Sequence, residues 1–164
     1  MSAFTSSHDK ITLGNGDRDT VYADCSNHDR ITLGNGAGDR VDADTDNFGI
    51  ISSYDTIILG NGVGDAVDAN SSNHDTIILG NGAGDTVSAN GSSFDTIIVG
   101  NGDGDGVNAN DSNDDTIILG NGERDSVNAG TSYVTARIRA PTFPTFDSPP
   151  AATSCNRNKI ISSV

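Results

Sequence analysis

Apolar residues along most of the chain fall on every second position for two places and then stop. Ile57 and Leu59 form one such pair, and matching pairs recur at Ile77 and Leu79, Ile97 and Val99, and Ile117 and Leu119. Ten residues after each pair a smaller one follows: Val67 and Ala69, Val87 and Ala89, Val107 and Ala109. Alternation with a period of two marks a short strand with one buried face. Each repeat therefore predicts two strands, joined by a glycine-rich turn (LGNG, or VGNG in the fifth repeat) and a polar turn such as ANSSN.

Near-copies of this block begin at His8, His28, Tyr54, His74, Phe94 and Asp114. The step is twenty residues except between the second and third, where FGIISS (residues 48–53) is inserted and is expected to loop outward. A fixed short period describes a solenoid, in which each repeat buries its apolar face only against its neighbours. The same strand returns after a full coil in the same direction. The expected fold is therefore all-β: a parallel β-roll or β-solenoid with two parallel sheets and six 20-residue coils. The chain divides into a lead-in (1–7), the coils (8–133), a capping strand (134–140) and a proline-rich, loose tail (141–164). Asn61, Asn81, Asn101 and Asn121 fall in one column and suit a structural ladder.

Charge adds a problem to this picture. The chain has 23 acidic and 9 basic side chains, a net of -14, with 5% aromatic residues and no tryptophan. Such a composition alone would suit disorder, and the strict periodicity argues against it. A polyanion repels nucleic acid and anionic lipid and attracts cations or basic partners. No apolar run reaches the length of a membrane span, so no membrane insertion is expected. The amino terminus carries no basic-then-apolar leader segment, and Cys25 and Cys155 have no metal-binding spacing.

Two aspartates per coil hold their places, one before each strand. Asp19, Asp39, Asp65, Asp85, Asp105 and Asp125 follow the glycine turn; Asp9, Asp29, Asp55, Asp75, Asp95 and Asp115 follow the polar one. At strand spacing, neighbouring carboxylates repel by about 0.9 kcal/mol in bulk water and about 3.5 kcal/mol at an effective dielectric of 20. A bound cation, main-chain N–H groups or outward splay must offset that.

The stretch G-N-G-x-G-D-x-V resembles the glycine- and aspartate-rich repeat of the RTX (hemolysin-type) calcium-binding proteins. The resemblance covers about residues 8–133. It implies a β-roll with Ca2+ between successive turns, held by the aspartate and by glycine-loop carbonyls, in a protein secreted by a bacterium and folding outside the cell. Calcium accepts six to eight oxygen ligands in flexible geometry. Carried over residue by residue, the implied ligands are Asp39, Asp65, Asp85 and Asp105 with Gly60, Gly62, Gly80, Gly82, Gly100 and Gly102. The family coil has eighteen residues and this one twenty, and Arg18 and Arg124 replace the glycine before the aspartate in the outer coils.

Two further readings come from the outward positions. Thr56 and Ile58, Thr76 and Ile78, Thr96 and Ile98, and Thr116 and Ile118 form a regular Thr-x-Ile array, similar in pattern only to ice-binding β-solenoids; the plainer reading is a packing surface for another copy of the chain, the tail or the inserted loop. His8, His28 and His74 share one register, but so do Tyr54, Phe94 and Asp114, which marks a permissive surface corner rather than a metal site. No nucleophile–base arrangement, metalloprotease histidine pair or phosphate loop occurs, so no enzyme activity is expected.

Overall fold

The computed structural model describes residues 6–44, 52–130, 133–138 and 159–160, and all structural statements below concern these. The lead-in through residue 5, residues 45–51 and most of the tail, including Cys155, lie outside them.

The described chain is all-β, without a helix. One sheet contains β1 (Lys10–Thr12), β3 (Arg30–Thr32), β5 (Thr56–Ile58), β7 (Thr76–Ile78), β9 (Thr96–Val99), β11 (Asn113–Leu119), β13 (Tyr133–Ile138) and β14 (Lys159–Ile160), in that order. The other contains β2 (Thr20–Tyr22), β4 (Arg40–Asp42), β6 (Ala66–Asp68), β8 (Thr86–Ser88), β10 (Gly106–Asn108) and β12 (Ser126–Asn128). Every pairing is parallel; from β1 to β12 each paired residue faces its counterpart one repeat away, as in Ile57↔Ile77 and Val67↔Val87, and the register shifts by one residue only between β11 and β13. The chain is thus a β-solenoid of about six turns.

The inward residues are those that the alternation selects. Ile57, Ile77, Ile97, Ile117 and Leu119 from the first sheet and Val41 and Val87 from the second are fully buried, with Leu59 and Leu79 almost so. Large side chains on one sheet meet Val and Ala on the other, which sets a thin core. Each such aliphatic group contributes roughly 1.5–3 kcal/mol by leaving water, and each touches only its own coil and the two beside it.

Three details differ from the sequence reading. Ser52 and Ser53 occupy the coil places of Ser26 and Asn27 below and Ser72 and Asn73 above, so the six extra residues precede Ser52. The tail, read as loose throughout, contributes Lys159 and Ile160 to the first sheet, paired with Thr135 and Ala136 of β13. A β-branched residue beside an unpaired edge supplies the physical reason. The expected capping strand is β13 itself, starting one residue earlier than the alternation indicated.

The glycines of successive turns pack main chain against main chain. A Cβ on Gly82 would lie 1.4 Å from the Gly62 carbonyl oxygen, whereas one on Gly64 would meet nothing within 4 Å. Gly64 is instead constrained by its positive φ of 74°, the conformation that Arg18 and Arg124 adopt at φ 60° and 66° in the outer coils. Gly82→Ala is therefore expected to cost about 2 kcal/mol or more through overpacking, and Gly64→Asn less than about 1 kcal/mol because asparagine tolerates this conformation. Chemical denaturation of both variants checks the contrast; equal losses would contradict it.

Candidate metal centre at the aspartate columns

The glycine-turn column is built by one repeated hydrogen bond. The main-chain N–H of Asp39 donates to Oδ1 of Asp65, that of Asp65 to Asp85, and that of Asp85 to Asp105, each at 3.0 Å. Asp19 and Asp105 extend the series to Asp39 at 2.9 Å and to Asp125 at 3.0 Å. Each carboxylate thus caps an amide of the coil before it. The other oxygen, Oδ2, is buried in Asp39, Asp65, Asp85, Asp105 and Asp125 and has no hydrogen-bond partner.

The second column repeats the bond in the opposite corner, from Asp9 N–H to Asp29 Oδ1 at 2.8 Å through to Asp95 N–H and Asp115 Oδ1 at 2.9 Å. Here serine lies beside the second oxygen. The Ser26 hydroxyl is 2.5 Å from Asp29 Oδ2, Ser52 donates to Asp55 at 2.8 Å, and Ser72 donates to Asp75. Ser92 turns instead to the Ala89 carbonyl at 2.6 Å, and Asp95 and Asp115 keep an unpartnered Oδ2. A hydroxyl rotates freely, so Ser92 can serve either acceptor.

The structure therefore brings Asp39, Asp65, Asp85 and Asp105 into one column beside the glycine turns, with the outer Asp125 in the same bonding pattern. The first glycine carbonyls of these turns accept along the axis: Gly60, Gly80 and Gly100 each accept an N–H from the glycine one coil further on, at 2.9–3.0 Å. The second glycines of these turns, Gly62, Gly82 and Gly102, pack on the glycine turn of the coil before, and a Cβ on Gly62 would come 2.8 Å from Asp65 Oδ1 and one on Gly82 3.1 Å from Asp85 Oδ1.

Burial raises the carboxyl groups of Asp55, Asp75, Asp95 and Asp115 in one column, and of Asp39, Asp65, Asp85, Asp105 and Asp125 in the other, above their ordinary range. Loss of hydration is the largest cause throughout, opposed by the capping amides. It lifts Asp75 to about 8, Asp115 to about 7, and Asp55, Asp95, Asp85 and Asp125 to about 6. Asp39, Asp65 and Asp105 are also raised.

A third acidic group escaped the sequence reading. Asp42, Asp44 and Asp68 can bring one carboxylate oxygen each within 4.8 Å of one another. Arg40 already bonds Asp42 at 3.1 Å and Asp68 at 3.3 Å, and burial followed by repulsion from Asp68 pushes Asp44 up to about 7. The signal was VDADTD in the second coil, where later coils place asparagine: Asn70 N–H donates to Asp44 Oδ1, and Asn90 and Asn110 continue that ladder. The serines beside the second column were missed too, because serine in a turn carries no distinctive pattern.

The other columns are regular. Asn61, Asn81, Asn101 and Asn121 each donate a main-chain N–H to the asparagine one coil back, at 2.9–3.0 Å. Thr56, Thr76, Thr96 and Thr116 are in register, as are Ile58, Ile78, Ile98 and Ile118. Lys10 and Arg30 interrupt this outward face in the first two coils. His8 and His28 stack with ring centroids 4.9 Å apart and planes 7° from parallel. Two zinc–nitrogen bonds of about 2.1 Å span at most about 4.2 Å, so the near-parallel pair is not arranged to share one ion.

No known protein family, curated protein or solved structure matches the chain.

The raised carboxyl groups fix a sign for the pH dependence. Each is more easily protonated folded than unfolded, so its stabilising effect is complete below the ordinary 3.8 and is lost as pH rises through the folded values of about 6–8. With divalent ions chelated, the melting temperature is expected to fall between pH 5 and pH 9, and Asp75→Asn should flatten the fall. A melting temperature that climbs over this range would contradict the assignment.

Proposed function

We propose that the chain is a calcium-binding structural repeat module, with the cation taken up along the glycine-turn column. The observation that carries the reading is the file of buried, unpartnered Oδ2 atoms on Asp39, Asp65, Asp85, Asp105 and Asp125. The rung-to-rung hydrogen bonds satisfy one oxygen of each carboxylate and leave its charge in place. A buried carboxylate whose second oxygen has no partner is costly, and at neutral pH a proton or a cation must offset it. Oxygen-only donors, carboxylates beside glycine carbonyls, are the set that a hard divalent ion prefers over transition metals. The net charge of -14 favours cation uptake as well.

Asp39, Asp65, Asp85 and Asp105 would hold the ion through Oδ2, with carbonyl oxygens of the adjoining glycine turns completing the shell. Calcium bound only by the folded state stabilises it by mass action, by about 2.7 kcal/mol at a hundredfold excess over the dissociation constant. Such coupling suits a module that orders itself outside the cell, where calcium is abundant, as the RTX resemblance implies. The Asp42, Asp44 and Asp68 cluster offers a second, more exposed place for the same ion.

Thermal unfolding at pH 7.5 in EGTA, in millimolar CaCl2 and in NaCl of matched ionic strength tests the proposal. Calcium is expected to raise the melting temperature well beyond the NaCl control. Asp85→Asn is expected to melt higher than the parent in EGTA, since it removes a buried charge, and to gain less from calcium. Equal melting in all three solutions would overturn the metal assignment and leave the ladder intact.

A further inference from the structure

One register of the solenoid goes against backbone preference. His8, His28, Tyr54, His74, Phe94 and Asp114 all have positive φ, between 59° and 66°. Glycine or asparagine adopts that conformation at least cost, and at the glycine turns the corresponding places are Gly38, Gly64, Gly84 and Gly104. Here five successive coils place a ring instead. Each is pinned by its own main-chain N–H, which donates to the next coil at 2.9–3.0 Å. The rings stack into a continuous column, with centroids 4.7–5.0 Å apart and planes 7–21° from parallel. Their outer edges remain in water: Tyr54 is 52% and Phe94 54% exposed.

The column ends at Phe94, because Asp114 stands in its place on the sixth coil. The far face of Phe94 is therefore not covered by a ring, and an exposed carboxylate lies one rung beyond it. Lys10 and Arg30 flank the column only in the first two coils. A cation is thus repelled from the His8 end and favoured at the Phe94 end.

We propose that the Tyr54–His74–Phe94 strip, closed by Asp114, binds elongated planar aromatic cations lying along the solenoid axis. A lone guanidinium would meet one ring face and one carboxylate, which gives weak binding. A rod-shaped aromatic cation would cover three rungs of ring edge in edge-to-face contact while its charged end reaches Asp114. The rings are held by the backbone whether or not calcium occupies the opposite corner, so the site stands apart from the metal assignment.

Thioflavin T, a rod-shaped aromatic cation, is the probe. Titration of the full chain, in EGTA and again in CaCl2, followed by fluorescence and equilibrium dialysis, is expected to show saturable binding of one dye per chain. Tyr54→Asn and Phe94→Asn remove rings but retain a residue that tolerates the left-handed backbone, so the fold is expected to survive by circular dichroism. Each should weaken binding at least tenfold, and Tyr54→Phe should leave it within twofold. Asp114→Asn should weaken it several-fold and reduce its salt dependence. Absence of saturable binding, or undiminished affinity in folded Tyr54→Asn and Phe94→Asn, would overturn the proposal. If either asparagine variant unfolds, Asp114→Asn alone decides: an unchanged affinity and salt dependence would overturn it.

Discussion

The structure depends on a carboxylate accepting the main-chain N–H of the coil before it. That bond is made ten times along the two corners, between residues that occupy the same place in adjacent coils. It does what a strand pairing cannot do at a corner, where the chain turns and the ladder of sheet hydrogen bonds is interrupted. An amide that would otherwise be buried unsatisfied receives an acceptor, and each coil is fixed in register to the next. The aspartates are therefore structural before they are anything else, and their charge is the price of that role.

The thin core sharpens the conflict. With two inward apolar residues per half-coil, the apolar contribution per coil is modest, and neighbouring coils must be held by polar bonds at the corners. Those bonds stack like charges at strand spacing. Capping amides offset part of the repulsion, serine hydroxyls assist in one corner, and the glycine corner is left with an unpartnered oxygen on each of five carboxylates. The two corners thus differ in chemistry although the sequence places aspartate at both. Only the glycine corner pairs unpartnered oxygens with a turn whose paired glycines bring the main chains of successive coils into close contact.

Much of this was legible in the residues. The alternation at Ile57 and Leu59, repeated every twenty residues, was enough for the strands, their parallel pairing and the identity of the core, because a solenoid has no long-range choice to make. The asparagine column followed for the same reason. The direction of the carboxylates was not legible: whether Asp65 turns toward water, an ion or the Asp39 amide depends on an angle at a corner, and residue type does not specify it. The shared register of Tyr54, His74 and Phe94 read as tolerance because the residue types differ, while their common left-handed backbone, which makes the rings stack, is invisible in composition. Asp42 and Asp68 stand on opposite sides of an insertion, and only the coil register brings them together.

Amide hydrogen exchange of the intact chain, followed residue by residue by NMR in EGTA, tests the carboxylate–amide bond most directly. The Asp39, Asp65 and Asp85 amides are expected to exchange as slowly as the strand amides of Val67 and Val87, because each is buried and donates to the next carboxylate. Exchange as fast as at the exposed turn residues Val63 and Asp103 would show that the aspartates do not cap the preceding coil, and the account would fail at its foundation.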